Sequence, residues 1–186
     1  MDIETYSEAR MIFDEYNGCY FHMERDGKYY KYKEFGVPKE IEIAWIFERR
    51  RIITEKLSIA MCKSEIASLF SQYSETVNQI NDENGLLFML KFAKGKRKKL
   101  DSFTNVRIVE SILNSLGGFD AEHKKNAIIE SLELLKDIEN TAFCVSDNYK
   151  IDGTFPDYLT ESKILERISL SIEYWGNELK SNDSYE

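Results

Sequence analysis

Apolar residues recur along this chain at helical spacing in one segment after another, and a single stretch near the start departs from that period. Behind Ser7, the positions Ala9, Ile12, Phe13 and Tyr16 predict a helix over about 7–16, ended by Asn17-Gly18. Pro38 suits the first turn of a helix over about 38–57, where its missing N–H would have had no partner. The apolar residues of that segment, Ile41, Ile43, Ala44, Trp45, Ile46, Phe47, Ile52, Ile53 and Leu57, cover more than half its circumference, which predicts a central helix. Narrower stripes predict helices over 64–80 (Ile66, Leu69, Phe70, Tyr73, Val77), 104–116 (Val106, Val109, Ile112, Leu113, Leu116), 120–140 (Ile128, Leu132, Leu135, Ile138) and 160–179 (Ile164, Ile168, Ile172, Trp175). The run from Leu86 to Phe92 is apolar on nearly every side and predicts a short buried helix over about 85–94 that stops at Gly95. Gly117-Gly118 is expected to end its helix by taking a left-handed conformation, and residues 145–158, rich in turn formers, form a long connection.

The exception is CYFHMERDGKYYKYK, which alternates and carries Asp26-Gly27 at its middle, a two-residue hairpin signal. Pairing Arg25 with Lys28 predicts a β-hairpin over about 19–33. Cys19, Phe21, Met23, Tyr30 and Tyr32 then share the buried face, and Tyr20, His22, Glu24, Tyr29, Lys31 and Lys33 the outer one. No internal repeat is present. The expected fold is mostly α, an irregular bundle of six or seven helices with a small N-terminal β-hairpin, forming one domain over 1–186.

Composition narrows the class. Of 186 residues, 42% are hydrophobic and 31% charged, which excludes a largely disordered chain, and two prolines with nine glycines exclude collagen-like and low-complexity sequences. A net charge of −8 argues against a surface made throughout for phosphate. Cys19, Cys62 and Cys144 are odd in number and widely spaced, so they read as reduced, buried thiols. The first residues show no basic segment followed by an apolar one, and the longest apolar runs, IAWIF and LLFML, fall far short of the ~20 residues of a membrane-spanning helix. A soluble cytoplasmic protein with no membrane partner is expected.

The charge is unevenly placed. Residues 91–99 (KFAKGKRKK) hold six basic side chains and no acid, and Lys94, Lys96, Arg97, Lys98 and Lys99 form a candidate anion-binding loop. Aromatic residues for base stacking are scarce beside it. A second candidate lies in the hairpin. Tyr16, Tyr20, Tyr29, Tyr30 and Tyr32 crowd into a short stretch, and Tyr20, Tyr29, Lys31 and Lys33 on one face offer an amphipathic contact surface for another protein. His22 and His123 are the only histidines, and Cys19-x2-His22 lacks the further ligands of a zinc site. No HExxH, GxSxG, GxGxxG or phosphate-binding loop is present, so no catalytic residue, metal ligand or cofactor is assigned.

The opening segments ARMIFDEYNG and FHMERDGKYYKYKEFGVPKEIEIAW resemble the start of a family of small soluble proteins from Gram-positive bacteria. Ala9, Arg10, Phe13, Tyr16, Asn17, Gly18, Met23, Arg25, Gly27, Tyr32, Lys33, Lys39, Glu40 and Trp45 carry the likeness, over roughly the first quarter of the chain. The resemblance implies a bacterial cytoplasmic protein; the family has no assigned activity, so it lends no role to any residue. The expected function is a non-enzymatic protein-binding module of adaptor, inhibitor or immunity type. The alternative is a nucleic-acid or anionic-ligand binder acting through 94–99, and the third reading is an enzyme without a recognisable motif.

Overall fold

A computed structural model describes residues 6–183. It is helical nearly throughout, with nine α-helices among those residues, and the chain divides into two compact units, Met1–Arg51 and Ile52–Glu186.

The first unit contains α1 (Ser7–Glu15), α2 (Tyr20–Arg25), α3 (Tyr29–Glu34) and the part of α4 (Lys39–Ile59) up to Arg51. The β-hairpin expected over 19–33 is absent: α2 and α3 occupy its place. Asp26-Gly27 does turn the chain, but as a helix stop. Gly27, at φ +70°, donates its N–H to Glu24 O at 3.0 Å, and the Lys28 N–H reaches Met23 O at 2.7 Å, which together close the last turn of α2 in a Schellman motif. Asn17 and Gly18 end α1 by the same bonds, to Asp14 O at 3.2 Å and Phe13 O at 2.7 Å. Each six-residue helix is shorter than an isolated helix can sustain, so its tertiary anchors hold it in place. Met23 anchors α2 and Tyr32 anchors α3; both are fully buried, and Ala9, Phe13, Trp45 and Ile46 of the same unit are buried too. The Phe13 ring centre lies 5.3 Å from that of Trp45 and 6.1 Å from that of Tyr32.

Gly18 is required twice over. Its φ is +71°, and a Cβ there would lie 2.6 Å from Cζ of the buried Phe13 ring. Gly18→Ala is therefore expected to destabilise the first unit by about 1–3 kcal/mol, the usual cost of a strained backbone position. Urea unfolding followed by Trp45 fluorescence, in a background where Trp175 is Phe, measures it; an unchanged midpoint contradicts the close approach of Gly18 to the Phe13 ring.

The second unit contains the rest of α4, then α5 (Lys63–Ile80), α6 (Glu83–Lys96), a 3-10 turn over Arg97–Lys99, α7 (Ser102–Asn114), a second 3-10 turn over Ser115–Gly118, α8 (Ala121–Glu139) and α9 (Glu161–Asp183). The central helix is α7, which packs against α5, α6, α8 and α9. The breadth of apolar positions on α4 suggested that helix instead, yet its Phe47, Ile52 and Ile59 are exposed. On α7, Val106, Ile108, Val109, Ile112 and Leu113 are buried, and so are Ser102, Thr104, Asn105 and Ser111. These polar side chains can be buried because each finds a local partner. Asp101 caps the helix, accepting the Thr104 N–H at 3.0 Å and the Thr104 hydroxyl at 2.6 Å. The Asn105 amide donates to Arg97 O at 3.0 Å and to Leu100 O at 3.2 Å, and the Ser111 hydroxyl to Arg107 O at 2.8 Å. Gly117 and Gly118 do not take the expected left-handed conformation; they lie in the 3-10 turn, where a Cβ on Gly118 would run into the Asn81 side chain.

The connection after α8 is irregular, as its composition suggests, with one antiparallel bridge between Ile151 and Thr154. It is pinned to the start of α7: the Ser102 N–H donates to Cys144 O at 2.8 Å, and the Cys144 N–H donates to the Ser102 hydroxyl at 3.1 Å. No helix among the described residues is long and apolar enough to cross a membrane.

Candidate functional site

Helical geometry rearranges the tyrosine-rich segment. Tyr29 and Lys33, four residues apart, stand one turn from each other on α3, and Tyr20 approaches from α2. Lys33 Nζ lies 4.7 Å from the Tyr20 ring centre and 5.4 Å from that of Tyr29, and the two rings meet edge to face at 5.7 Å. Three of the four residues expected to share a contact face thus come together. Lys31 does not join them; it turns to Glu8 of α1 in an ion pair.

Beneath this cluster sits Glu42 of α4, a buried carboxylate. Its Oε1 accepts the hydroxyl protons of Tyr20 and, at 2.6 Å, of Tyr32; Lys39 Nζ donates to Oε2 at 3.2 Å. Burial alone would raise the Glu42 carboxyl, but the hydrogen bonds from Tyr20, Tyr32 and Lys39 outweigh it and hold the group below its ordinary value. The two phenols are pushed up, first by burial and then by bonding to the carboxylate. Tyr20 therefore has one side on the surface cluster and its hydroxyl fastened inward.

The same unit carries exposed apolar side chains. Phe21 is 70% exposed and Tyr30 74%, with Met11 on α1 at 72%. The alternating pattern placed Phe21 and Tyr30 on the buried hairpin face; the helical turn carries both outward. Arg25 at the end of α2 and Lys28 in the turn before α3 are exposed as well.

The basic segment is not a loop. The helix expected to stop at Gly95 runs on through Lys96, and Arg97, Lys98 and Lys99 continue it as a 3-10 turn. Two of its five cations are engaged with α8: Lys94 pairs with Glu130 at 3.0 Å, and Arg97 pairs with Asp137. Lys96 Nζ lies 6.0 Å from the Phe92 ring centre. Lys98 and Lys99 are exposed and make no ion pair among the described residues. A cleft of about 250 Å³ opens beside them, lined by Arg97, Lys98, Ser102, Asn105, Thr141 and Cys144 among others.

Two groups with defined chemistry had no sequence signal of their own. Glu42 reads as an acid in a first helical turn, and its tyrosine partners lie ten and twenty-two residues earlier. His123 reads as a solvated residue beside Lys124 and Lys125, yet the fold sets it against Asp120 and Glu83. The three cysteines are free; Cys19 and Cys62 are half-buried, and Cys144 is exposed where a buried thiol was expected. Compared with known proteins, this chain matches no family model, no curated protein and no solved structure.

Proposed function

We propose that this chain is a non-enzymatic protein-binding module, of adaptor, inhibitor or immunity type, whose contact surface is the α2–α3 pair. The observation that carries the reading is the exposure of Phe21 and Tyr30, two large apolar side chains at 70% and 74%, beside the Tyr20–Tyr29–Lys33 cluster. Aromatic residues flanked by cations are the side chains that dominate protein contacts, because they desolvate a large area at low conformational cost. The underlying Glu42 bonds hold Tyr20 in one orientation, so little order has to be imposed on binding. Lys28 and Lys33 suit a partner segment that is acidic and apolar.

The test is affinity capture from a native lysate treated with nuclease, comparing the parent chain with the Phe21→Ala, Tyr30→Ala double variant. Both side chains are exposed, so the fold is expected to persist, as Trp45 fluorescence will show. Loss of a defined bound protein from the variant supports the surface; equal capture removes α2–α3 from the interface.

A second reading, an anionic-ligand or nucleic-acid binder, is favoured by the unpaired Lys98 and Lys99 beside the cleft. It requires binding that falls steeply with salt and is lost in a Lys98→Gln, Lys99→Gln variant.

A further inference from the structure

His123 is held from both ends of its ring by carboxylates on different helices. Asp120, the N-cap of α8, accepts the His123 backbone N–H through Oδ1 at 2.9 Å and lies 2.6 Å from ring Nδ1 through Oδ2. This pair of bonds sets the plane of the imidazole and directs Nε2 towards Glu83, the first residue of α6, whose Oε2 is 3.6 Å away. One donor atom from each of the three residues falls within 4.8 Å of the other two.

The 3.6 Å gap between Nε2 and Glu83 is too long for a hydrogen bond. It is close to the separation of two ligands on one four-coordinate ion. With metal–ligand bonds of about 2.1 Å, donors that far apart subtend about 118° at the metal, slightly more than the tetrahedral angle. Asp120 has the second role such sites use, a carboxylate on the far ring nitrogen that keeps the imidazole in the binding tautomer. Glu122 adds a further negative charge that acts on His123. Asp120, Glu83 and Glu122 thus set three carboxylates near one imidazole.

We propose that Glu83, Asp120 and His123 form a surface site for a divalent ion of the imidazole-binding class, with Zn²⁺ as the reference member. His123 Nε2 and a Glu83 oxygen bind the ion directly, Asp120 positions the ring through Nδ1, and water completes the coordination. The ion ties the start of α6 to the start of α8, segments far apart in sequence. Because both are positive helix ends and only two protein atoms bind directly, the site is an exchangeable one.

Calorimetric titration of the full chain with Zn²⁺ in a non-chelating buffer tests this. One saturable site per chain is expected. His123→Ala abolishes it, Glu83→Gln weakens it at least tenfold, and Asp120→Asn, which keeps an N-cap side chain, weakens it ten- to a hundredfold. Zn²⁺ is also expected to shift the Nε2 resonance of His123 in the parent chain, while circular dichroism confirms that each variant is folded. Saturable binding that survives His123→Ala, or no saturable binding by the parent chain, overturns the proposal and leaves His123 as an imidazole paired with two acids.

Discussion

Glu42→Ala is expected to destabilise the first unit by about 2–5 kcal/mol, a large fraction of the stability of a unit of this size. The loss has two parts. Tyr20 and Tyr32 lose the acceptor of their hydroxyl protons, and Lys39 loses the carboxylate it donates to. Tyr32 is fully buried, so its hydroxyl has no water to turn to. The readout is the fluorescence of Trp45, which lies in this unit, with Trp175 changed to Phe to silence the other tryptophan. A variant that unfolds at the parent's urea midpoint would show that the carboxylate contributes nothing.

The same group gives the unit a pH signature. Glu42 titrates lower in the folded chain than its ordinary 4.5, so its stabilisation is present above about pH 4.5 and is lost as pH falls through the depressed value. Tyr20 and Tyr32 are raised above their ordinary 10.0, so their contribution is present below about pH 10 and is lost as pH rises through their folded values. The first unit is thus expected to hold a plateau between those limits. Glu42→Ala, tested in the range where it still folds, should flatten the acid edge.

The second large effect belongs to α7. Ile112 is fully buried in the helix that contacts α5, α6, α8 and α9, and Ile112→Ala is expected to cost about 2–5 kcal/mol through lost burial and the cavity left behind. Ile52→Ala on α4, an exposed position despite its apolar sequence neighbours, is expected to change stability by less than about 1 kcal/mol. Trp175 fluorescence, with Trp45 changed to Phe, follows the second unit. Equal effects at the two positions would contradict the placement of α7 at the centre.

The contrast between α4 and α7 shows where sequence reading reached its limit. Long stripes such as Ile66, Leu69, Phe70, Tyr73 and Val77 identify their helices well, because over about three turns no other period fits them. Breadth of apolar coverage is a poorer guide to depth. A helix with Ser102, Thr104, Asn105 and Ser111 reads as half polar, and only the bonds to Asp101, Arg97, Leu100, Arg107 and Cys144 reveal that each polar group is satisfied inside the core. The expected hairpin failed for a related reason. Over six residues, alternation and helical spacing overlap: Cys19 and Met23 fit both a strand face and one helical turn. Gly27 serves either a hairpin turn or a helix stop, so the local signal is the same and the buried contacts of Met23 and Tyr32 decide. At the candidate surface, residue types were legible and orientation was not. Tyr20, Tyr29 and Lys33 meet, whereas Phe21 and Tyr30 change sides. Glu42 and Glu83 reach their partners only through the folded chain.

Helices α2 and α3 span six residues each, and each has a single fully buried side chain. Neither can fray progressively from its ends, since the loss of one turn removes most of the element. Their amide protons should therefore exchange with deuterated solvent as one group, through a shared opening that releases Tyr20 and Tyr32 from Glu42. The amides of α7, which packs against four neighbouring helices, should be the last in the chain to exchange.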